Sequence, residues 1–405
     1  MAEMINNNPY NIFENVGNHK LYHRMRTEDP IHCAIGPVTG NRFWLITRYD
    51  DCAALVKDLR IGKDIKKNLP PDLHGQWSEN MKDPLGIGKH MLNVDPPDHT
   101  RLRNLVHKAF TPRIIRQMAG RVQEICDELL DKVADKGEMD LMEEYAAIVP
   151  AVVIAELLGV PLEDQDKFRD WTKRMIFGWE DQQDQMLAGM EFAQYMNEQI
   201  DLRATEKPDD VLTGLVDAEE EGDTLDRREL MSMIFLLLAA GHETTTHLIG
   251  NGMVALMKYD DQMQILKDNM DNKDLISNMN EEILRYNGPA PQTLLRYAFE
   301  DIDIRGKTIK QGDGVWIVFH AANRDPEIFE NPDKFDIRRE NAAKHLGFGG
   351  GIHYCLGAPL ARLEGSIAIP ALVNRFPDIK LATDTLEYDT QSFHGYKSIP
   401  VTFSV

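Results

Sequence analysis

A single cysteine near the end of the chain stands in a stretch whose residue types favour ligand chemistry. Residues 348–362 are FGGGIHYCLGAPLAR, with Cys355 between a run of glycines and a predicted helix. Glycine has no Cβ, so this backbone can bend sharply and approach a flat ligand closely. The N–H groups and dipole at a helix start favour the thiolate form of Cys355. A thiolate bound to haem iron favours cleavage of the O–O bond, and the alternative interpretation is a buried structural cysteine beside a turn.

A second stretch with unusual residue types interrupts a long apolar segment. Residues 226–258 are predicted to form one buried helix, and residues 239–247 in its middle are AAGHETTTH. Glycine and consecutive threonines are poor helix formers, and a threonine hydroxyl can bond to the carbonyl one turn back, which bends the helix and opens a local gap. The pattern is not that of a zinc-protease helix. His242 and His247 are five residues apart rather than four, so they lie on different faces.

Both stretches resemble motifs of the cytochrome P-450 superfamily, in its soluble bacterial class I form. The first resembles the haem-binding loop at every defining position, and the second resembles the oxygen-activating motif of a small residue, Gly, any residue, an acid and Thr. The resemblance implies haem b (iron protoporphyrin IX) with Cys355 as the iron ligand. It implies three further residues against the cofactor, which are Ala240, Phe348 and Gly349. It also implies that Thr244 hydrogen-bonds to the activated dioxygen and that Glu243 relays protons from solvent.

Further matches concern the haem carboxylates and the fold around them. His99 and Arg103 are four residues apart on a predicted helix and therefore share a face. The resemblance implies four propionate-binding residues, which are His99, Arg103, Arg296 and His353. Glu282 and Arg285, three residues apart, can pair along one helix face, which is a common structural ion pair. In the resembled family this element is architectural, and its third member here would be Arg339.

The segments that could contact a substrate are less regular. Residues 61–95 are rich in Pro, Gly and Lys, and long irregular loops inside compact domains are usually functional. The resemblance makes this segment a substrate-side loop lined by Leu85, Ile87 and Met91, and a solvated loop is the alternative. Helices predicted at 164–179 and 182–205 fit either core packing or a mobile lid. The other pocket candidates are Leu236, Ala239, Ala240, Gln292, Leu294 and Phe393. Most are apolar, which fits a fatty acid, steroid, terpenoid or macrolide.

The composition is ordinary for a soluble globular enzyme. The chain of 405 residues is 42% hydrophobic and 27% charged and contains no linker-like stretch, so we expect a single domain over residues 1–405. A formal charge of −21 argues against nucleic acid or an anionic membrane as partner. The four cysteines form no CxxC pair, which favours a reducing cytoplasm. No signal peptide or membrane anchor is visible. We therefore expect a cytoplasmic monomer.

The predicted elements are mainly helical. Alternating residues predict a hairpin of strands at 31–35 and 42–47, and Asp50 and Asp51 are predicted to cap a helix that ends at residue 57. Two amphipathic helices are predicted within residues 122–159. The expected fold class is mainly α with small β-sheets (α+β). The resemblance implies the cytochrome P450 fold, with haem between the long central helix and the helix after Cys355.

The source of electrons follows from what the sequence contains. Residues 99–123 carry six Lys and Arg residues and no acidic one, which indicates either a solvated helix face or a docking patch for an acidic electron-transfer protein. No flavin or iron–sulfur motif and no dinucleotide fingerprint is visible. Electrons are therefore expected from a separate ferredoxin or flavodoxin with an NAD(P)H-dependent reductase.

These features predict a monooxygenase that inserts one oxygen atom of O2 into a hydrophobic small molecule. Two alternatives use the same haem-thiolate chemistry. The first is a peroxide-driven peroxygenase, although such enzymes tend to lack the acid and threonine pair that Glu243 and Thr244 supply. The second is a non-enzymatic haem-thiolate sensor or carrier, which would need the cysteine but no proton relay.

Overall fold

Residues 18–36, 40–74, 88–177, 181–220, 222–389 and 393–405 are described by the computed structural model. Two predicted pocket residues, Leu85 and Ile87, lie outside the described residues, whereas Met91 is described and buried. The single-domain organisation over residues 1–405 stays a prediction.

Helices form most of the described chain. In chain order they are α1 (His19–Glu28), α2 (Tyr49–Leu55), α3 (Ile65–Asn68), α4 (Asp98–Ala109), α5 (Pro112–Val133), α6 (Ile148–Leu157), α7 (Gln165–Phe177), α8 (Gln182–Glu206), α9 (Val211–Val216), α10 (Arg227–Lys258), α11 (Asp260–Lys267), α12 (Lys273–Asn287), α13 (Phe319–Ala322) and α14 (Ala358–Arg375). The predicted long central helix corresponds to α10, and the predicted helix after the cysteine corresponds to α14.

The strands are short and form small sheets. They are β1 (Ile31–Ile35), β2 (Arg42–Ile46), β3 (Ile61–Gly62), β4 (Glu138–Asp140), β5 (Glu219–Glu220), β6 (Asp223–Thr224), β7 (Arg296–Ala298), β8 (Ile302–Ile304), β9 (Lys307–Ile309), β10 (Gly314–Ile317), β11 (Lys380–Leu381), β12 (Tyr388–Asp389), β13 (Gly395–Tyr396) and β14 (Pro400–Thr402). The largest sheet has the order β1-β2-β10-β7-β3, in which β1 and β2 form the predicted antiparallel hairpin. The mainly α class with small β-sheets is thus confirmed.

Helix α10 forms one wall of the candidate site. It begins with a capping box. The Asp226 side chain accepts hydrogen bonds from N–H groups of the first turn, and the Glu229 side chain accepts one from the Asp226 N–H. Side chains on both sides of its middle are mostly buried, as expected for a helix that is apolar nearly all round. Residues 239–244 are the exception and are partly exposed, although the helix stays continuous there. This exposed stretch lies where the sequence predicts a local gap.

The apolar core fixes the position of the cysteine loop. Side chains from α4, α5, α6, α10, α12 and α14 belong to one buried cluster, and a second cluster packs on the largest sheet. Helix α14 contacts α5, α10 and α12, so the loop that precedes it is anchored from several sides. The buried Tyr145 hydroxyl adds a polar tie by donating to the Ala368 carbonyl of α14 at 2.8 Å.

Two predictions about helices are wrong in part. Asp50 and Asp51 lie in the first turn of α2 and do not cap it, because Arg48 is the N-cap residue and the helix ends at Leu55. Residues 122–159 do contain two helices, the end of α5 and α6, but α6 is buried on most sides and not amphipathic, and β4 and a π-helical segment at Met142–Ala146 separate the two. Strand β4 pairs with β14 near the end of the chain, and local periodicity carries no information about such a distant partner.

Candidate active site

The loop before α14 presents the predicted ligand cysteine. Two of its glycines have positive φ angles, +70° at Gly349 and +64° at Gly351, which other residues rarely adopt. The Cys355 N–H donates to the Phe348 carbonyl at 2.9 Å and closes the loop. A Cβ added at Gly351 would lie 3.0 Å from the Lys57 Cα, so the loop also packs tightly against the turn that follows α2. Backbone geometry therefore holds the sulfur in one place.

The ionisation of Cys355 differs from the sequence prediction. Burial raises the pKa of its thiol, and this outweighs the opposing effects of the Gly357 and Ala358 N–H groups and of Arg103 and Arg362. The helix start alone therefore does not produce a thiolate, because the sulfur lies too deep. A coordinated metal ion deprotonates a thiol outright, so these flanking donors would add to the effect of the metal.

A cavity of about 280 Å³ connects the cysteine loop with α10. It brings together predicted residues that are far apart in the sequence. Those that line it are Met91, His99, Arg103, Leu236, Ala240, Thr244, Gln292, Leu294, Arg296, Phe348, Gly349, His353 and Cys355. Ala239, Glu243 and Phe393 are not among the described residues that line it. The predicted ligand, carboxylate-binding and catalytic threonine residues thus share one space.

The α10 wall is open where the helix carries small residues. Ala240 is exposed although it lies in the middle of a buried helix, because it faces the cavity. The Thr244 hydroxyl donates to the Ala240 carbonyl, one turn earlier in the helix, at 2.8 Å. This is the hydrogen bond predicted for the threonines of this stretch. Next to Ala240, a Cβ added at Gly241 would lie 3.2 Å from Ile154 of α6, and both of these residues also line the cavity. Small residues therefore let α6 approach α10 closely at Gly241 and leave room in the cavity at Ala240.

Glu243 lies beside the wall, between two histidines. Its carboxylate oxygens lie 3.3 Å from His242 Nδ1 and 3.7 Å from His247 Nε2, and the side chain is 12% exposed. The His242 Nε2 atom lies 3.0 Å from the Ala147 carbonyl oxygen. An acid held between two imidazoles can exchange protons with either ring. This cluster is therefore suited to holding protons next to Thr244.

One end of the cavity is cationic. Arg103 donates to the Ile352 carbonyl at 3.0 Å and to the Tyr354 carbonyl at 2.8 Å, and Arg296 donates to the Val56 carbonyl at 3.0 Å. Arg296 Nε and His353 Nε2 are buried and have no hydrogen-bond partner within the described residues. Burial lowers the pKa of Arg296 to about 10 and that of His353 to about 3. Buried donors without partners are costly, so this end is suited to carboxylates.

The predicted structural ion pair is fully buried beneath the loop. Glu282 accepts from Arg285 Nε at 2.7 Å and Nη2 at 2.9 Å, and from Arg339 Nε at 3.1 Å. It also accepts from the Asp336 N–H at 2.9 Å. Arg285 donates in addition to the carbonyls of Asn323, Pro332 and Lys334. The pair therefore ties α12 to the chain segment that leads into the cysteine loop.

Sequence reasoning missed two parts of this region. The Glu281 carboxylate binds Arg362 of α14 at 2.6 Å and His345 at 3.1 Å, which adds a second tie beside Glu282. Lys63 lines the cationic end of the cavity. The double acid at 281–282 was a visible signal for the first. No signal in the sequence marked Lys63, since its segment has no periodicity that would distinguish it from Lys66 or Lys67.

Comparison with known proteins decides the family. The cytochrome P450 family model matches residues 166–392. The polyketide biosynthesis cytochrome P450 PksS of Bacillus subtilis is 42% identical over 94% of each chain. The cytochrome P450 monooxygenase PikC of Streptomyces venezuelae is 41% identical over 94% of this chain and 89% of PikC. The crystal structure of myxobacterial cytochrome P450 CYP267B1 with myristic acid has a TM-score of 0.87 and 40% identity, with 98% of both chains covered. The chain belongs to the cytochrome P450 family.

As a cytochrome P450, the protein is a haem b monooxygenase, and the cavity fits this cofactor. Cys355 offers the sulfur, and Gly349 and Ala240 keep opposite walls free of bulk. The partnerless buried nitrogens of Arg296 and His353 are suited to the two haem carboxylates. No described helix of this cytochrome P450 has the length and apolarity that a membrane span requires.

Proposed function

We propose that Cys355 is the iron ligand of this monooxygenase and that His99, Arg103, Arg296 and His353 hold the haem carboxylates. The observation that carries the proposal is the shared cavity, which Cys355, the cationic residues and Thr244 line together. Phe348, Gly349 and Ala240 would contact the faces of the ring. Bound haem supplies the redox chemistry that places one oxygen atom of O2 in the substrate and releases the other as water.

Thr244 and Glu243 are proposed to manage the protons of this reaction. The Thr244 hydroxyl lines the cavity and donates to the Ala240 carbonyl, so its oxygen can accept a second hydrogen bond from the cavity side. Glu243 does not line the cavity but lies one residue away, where His242 and His247 share its carboxylate. Glu243 would hold the incoming proton, and Thr244 would hold it at the cavity surface.

The substrate is proposed to be a hydrophobic small molecule of the fatty-acid or polyketide kind. The part of the cavity away from the cationic end is lined mostly by apolar side chains, among them Leu236, Leu237, Ile154 and Leu248. Among the relatives, PksS is named for polyketide biosynthesis and CYP267B1 was crystallised with myristic acid. Apolar parts of such molecules gain affinity by leaving water. Gln292 is a polar residue of this lining that would orient them.

The electrons are proposed to come from a ferredoxin or flavodoxin with an NAD(P)H-dependent reductase, acting on a cytoplasmic monomer. Helices α4 and α5 carry the basic stretch predicted to dock such a partner, and α4 contacts the cysteine loop through Arg103. Arg101 and Arg121 of this stretch are engaged by Glu229 and Glu156, whereas Arg113 and Arg116 are exposed. The docking patch is therefore smaller than the sequence implies.

The deciding experiment is the difference spectrum of the dithionite-reduced protein with carbon monoxide. We expect a strongly red-shifted Soret band in the wild type that is lost in Cys355→Ser. The matched control is Cys126→Ser, which changes a fully buried cysteine of α5 and should keep the band. No haem band in the wild type, or an unchanged band in Cys355→Ser, would contradict the proposal. Turnover with surrogate redox partners, compared with turnover on peroxide alone, separates the monooxygenase from a peroxygenase.

A further inference from the structure

Lys63 is a buried lysine at the cationic end of the cavity. It follows β3 in the chain and is 8% exposed, and its neighbours in the cavity lining include Arg296, His99, Arg103 and His353. A lysine is seldom buried to this degree unless a partner compensates its charge. None of the four residues proposed to hold the haem carboxylates can compensate it, because each is itself neutral or cationic.

Asp95 is the acid that stabilises the charge of Lys63, but its carboxylate already accepts hydrogen bonds from other groups. Asp95 acts on both Lys63 and Arg296, but its carboxylate accepts from the backbone N–H groups of Lys63 and Asp64 and from the Asn68 side chain. Among the described residues, no carboxylate oxygen lies within 4.0 Å of the Lys63 ammonium nitrogen. Asp95 therefore fixes the backbone at Lys63 without pairing with its side chain.

The charges at this end of the cavity do not balance. Lys63, Arg103 and Arg296 line this end of the cavity, whereas among its described residues the carboxylate that acts on Lys63 and Arg296 is that of Asp95. Burial is the main cause, and Arg296 the second, of a lowered pKa at Lys63, which falls to about 7 despite the opposing effect of Asp95. A site of this kind gains stability from an anion that enters it.

We infer that Lys63 binds a carboxylate of the bound haem, as a fifth residue beside the four that sequence motifs identify. The inference rests on the proposed function, because it needs haem in this cavity. If Lys63 acts through its charge and not through packing, the effect of the side chain on stability should depend on whether haem is bound. A charge that is compensated only by the cofactor should weaken the protein without haem and strengthen the protein with it.

The test is the rate at which the holoprotein loses haem to an excess of apomyoglobin. We expect Lys63→Met to lose haem about tenfold faster than wild type or more, since one partner of a buried charge pair is removed. Lys63→Arg should stay near the wild-type rate because it keeps the charge. The matched control is Lys66→Met, the same change at an exposed position of α3, which should leave the rate unchanged.

A second measurement separates charge pairing from packing. Proteins reconstituted with haem dimethyl ester have no cofactor carboxylates, so wild type and Lys63→Met should then lose the cofactor at rates within about twofold of each other. In urea, haem-free Lys63→Met should be at least as stable as haem-free wild type. Equal rates with natural haem, or a full rate difference that persists with the ester, would overturn the inference. If wild type binds no haem at all, the proposed function fails and this inference fails with it.

Discussion

Thr244 and Thr246 make the same type of hydrogen bond on α10, but they face different surroundings. The Thr244 hydroxyl donates to the Ala240 carbonyl at 2.8 Å and lines the cavity, whereas the Thr246 hydroxyl donates to the His242 carbonyl at 3.2 Å and is buried. Thr246 is not among the described residues that line the cavity. The two positions therefore separate the effect on the helix from the effect on the reaction.

We predict that Thr244→Ala uncouples electron consumption from product formation and that Thr246→Ala does not. The proton-holding hydroxyl is lost at the cavity surface only in the first variant, so product per NAD(P)H oxidised should fall by about tenfold or more. The measurement is product formed against NAD(P)H consumed with surrogate redox partners. Equal losses in both variants would mean that helix stability, and not proton handling, explains the effect.

Glu281 should make the stability of the protein around the cysteine loop depend on pH in the acid range. Burial raises the pKa of its carboxyl, but the hydrogen bonds from Arg362 and His345 outweigh this and lower the pKa from 4.5 to about 2. A group whose pKa is lowered on folding stabilises the protein fully above its unfolded pKa. That stabilisation is lost as the pH falls from about 4.5 through about 2.

The corresponding prediction compares wild type with Glu281→Gln. At pH 6 the variant should melt at a lower temperature, because Arg362 loses its charged partner next to the loop. The difference in melting temperature should shrink steadily between pH 4.5 and pH 2, where wild type also loses the charge. Melting followed at the Soret band gives both values. A difference that is constant over this pH range would show that the charge of Glu281 is not what holds α14.

The loop between the ion-pair network and α14 depends on its glycines. Gly351 has a φ of +64°, and a Cβ added there would lie 3.0 Å and 3.1 Å from backbone atoms of Lys57 and Val56. Gly120 lies within α5, and a Cβ added there would have nothing within 4 Å. The same substitution should therefore have opposite effects at these two glycines.

We predict that Gly351→Ala destabilises the protein by about 1–3 kcal/mol, because strain and a backbone clash coincide. Gly120→Ala should stabilise it by about 0.5–1 kcal/mol, since alanine is the better residue within a helix. Urea unfolding measures both values, and haem content per protein reports whether the loop keeps its shape. A Gly351→Ala protein of wild-type stability and haem content would contradict the packing of this loop against Val56 and Lys57.

Motifs with fixed backbone demands could be predicted from the sequence, whereas positions defined by distant contacts could not. The helix start at Asp226, the loop glycines and the ion pair of Glu282 follow from local chemistry. To predict which residues of α10 line the pocket, one must know how the helix is rotated about its axis. Leu236, Ala240 and Thr244 are one turn apart and share the cavity face, whereas Ala239 is turned about 100° away. Lys63 faces the cavity because Asp95 holds its backbone, and no local pattern encodes that contact.

The charge distribution of the whole molecule restricts where an acidic partner can bind. The chain has a formal charge of −21, so an acidic electron-transfer protein is repelled by most of the surface. Of the basic stretch on α4 and α5, Arg101 and Arg121 are engaged by acidic neighbours. Arg113 and Arg116 are exposed on the first turns of α5. These two residues should therefore contribute most to partner association.

We predict that Arg113→Glu combined with Arg116→Glu lowers kcat/KM for an acidic ferredoxin by about tenfold at low salt. The loss should shrink at high salt, because exposed charges are screened within about 10 Å at 0.1 M ionic strength. The charge-matched control combines Arg24→Glu with Arg338→Glu, two exposed arginines on other segments. Equal losses in both double variants would assign the effect to net charge and not to a docking patch.

The distance along the chain between the two sides of the cavity affects how the protein matures during synthesis. Helix α4, which carries His99 and Arg103, leaves the ribosome about 250 residues before Cys355. At about 5–20 residues per second this delay lasts about 10–50 s. During that time Arg103 has no Ile352 or Tyr354 carbonyl to bind, and Arg296 and His353 of the cationic end have still to be made. The complete haem site can therefore form only late in synthesis, after Cys355 has been added to the chain.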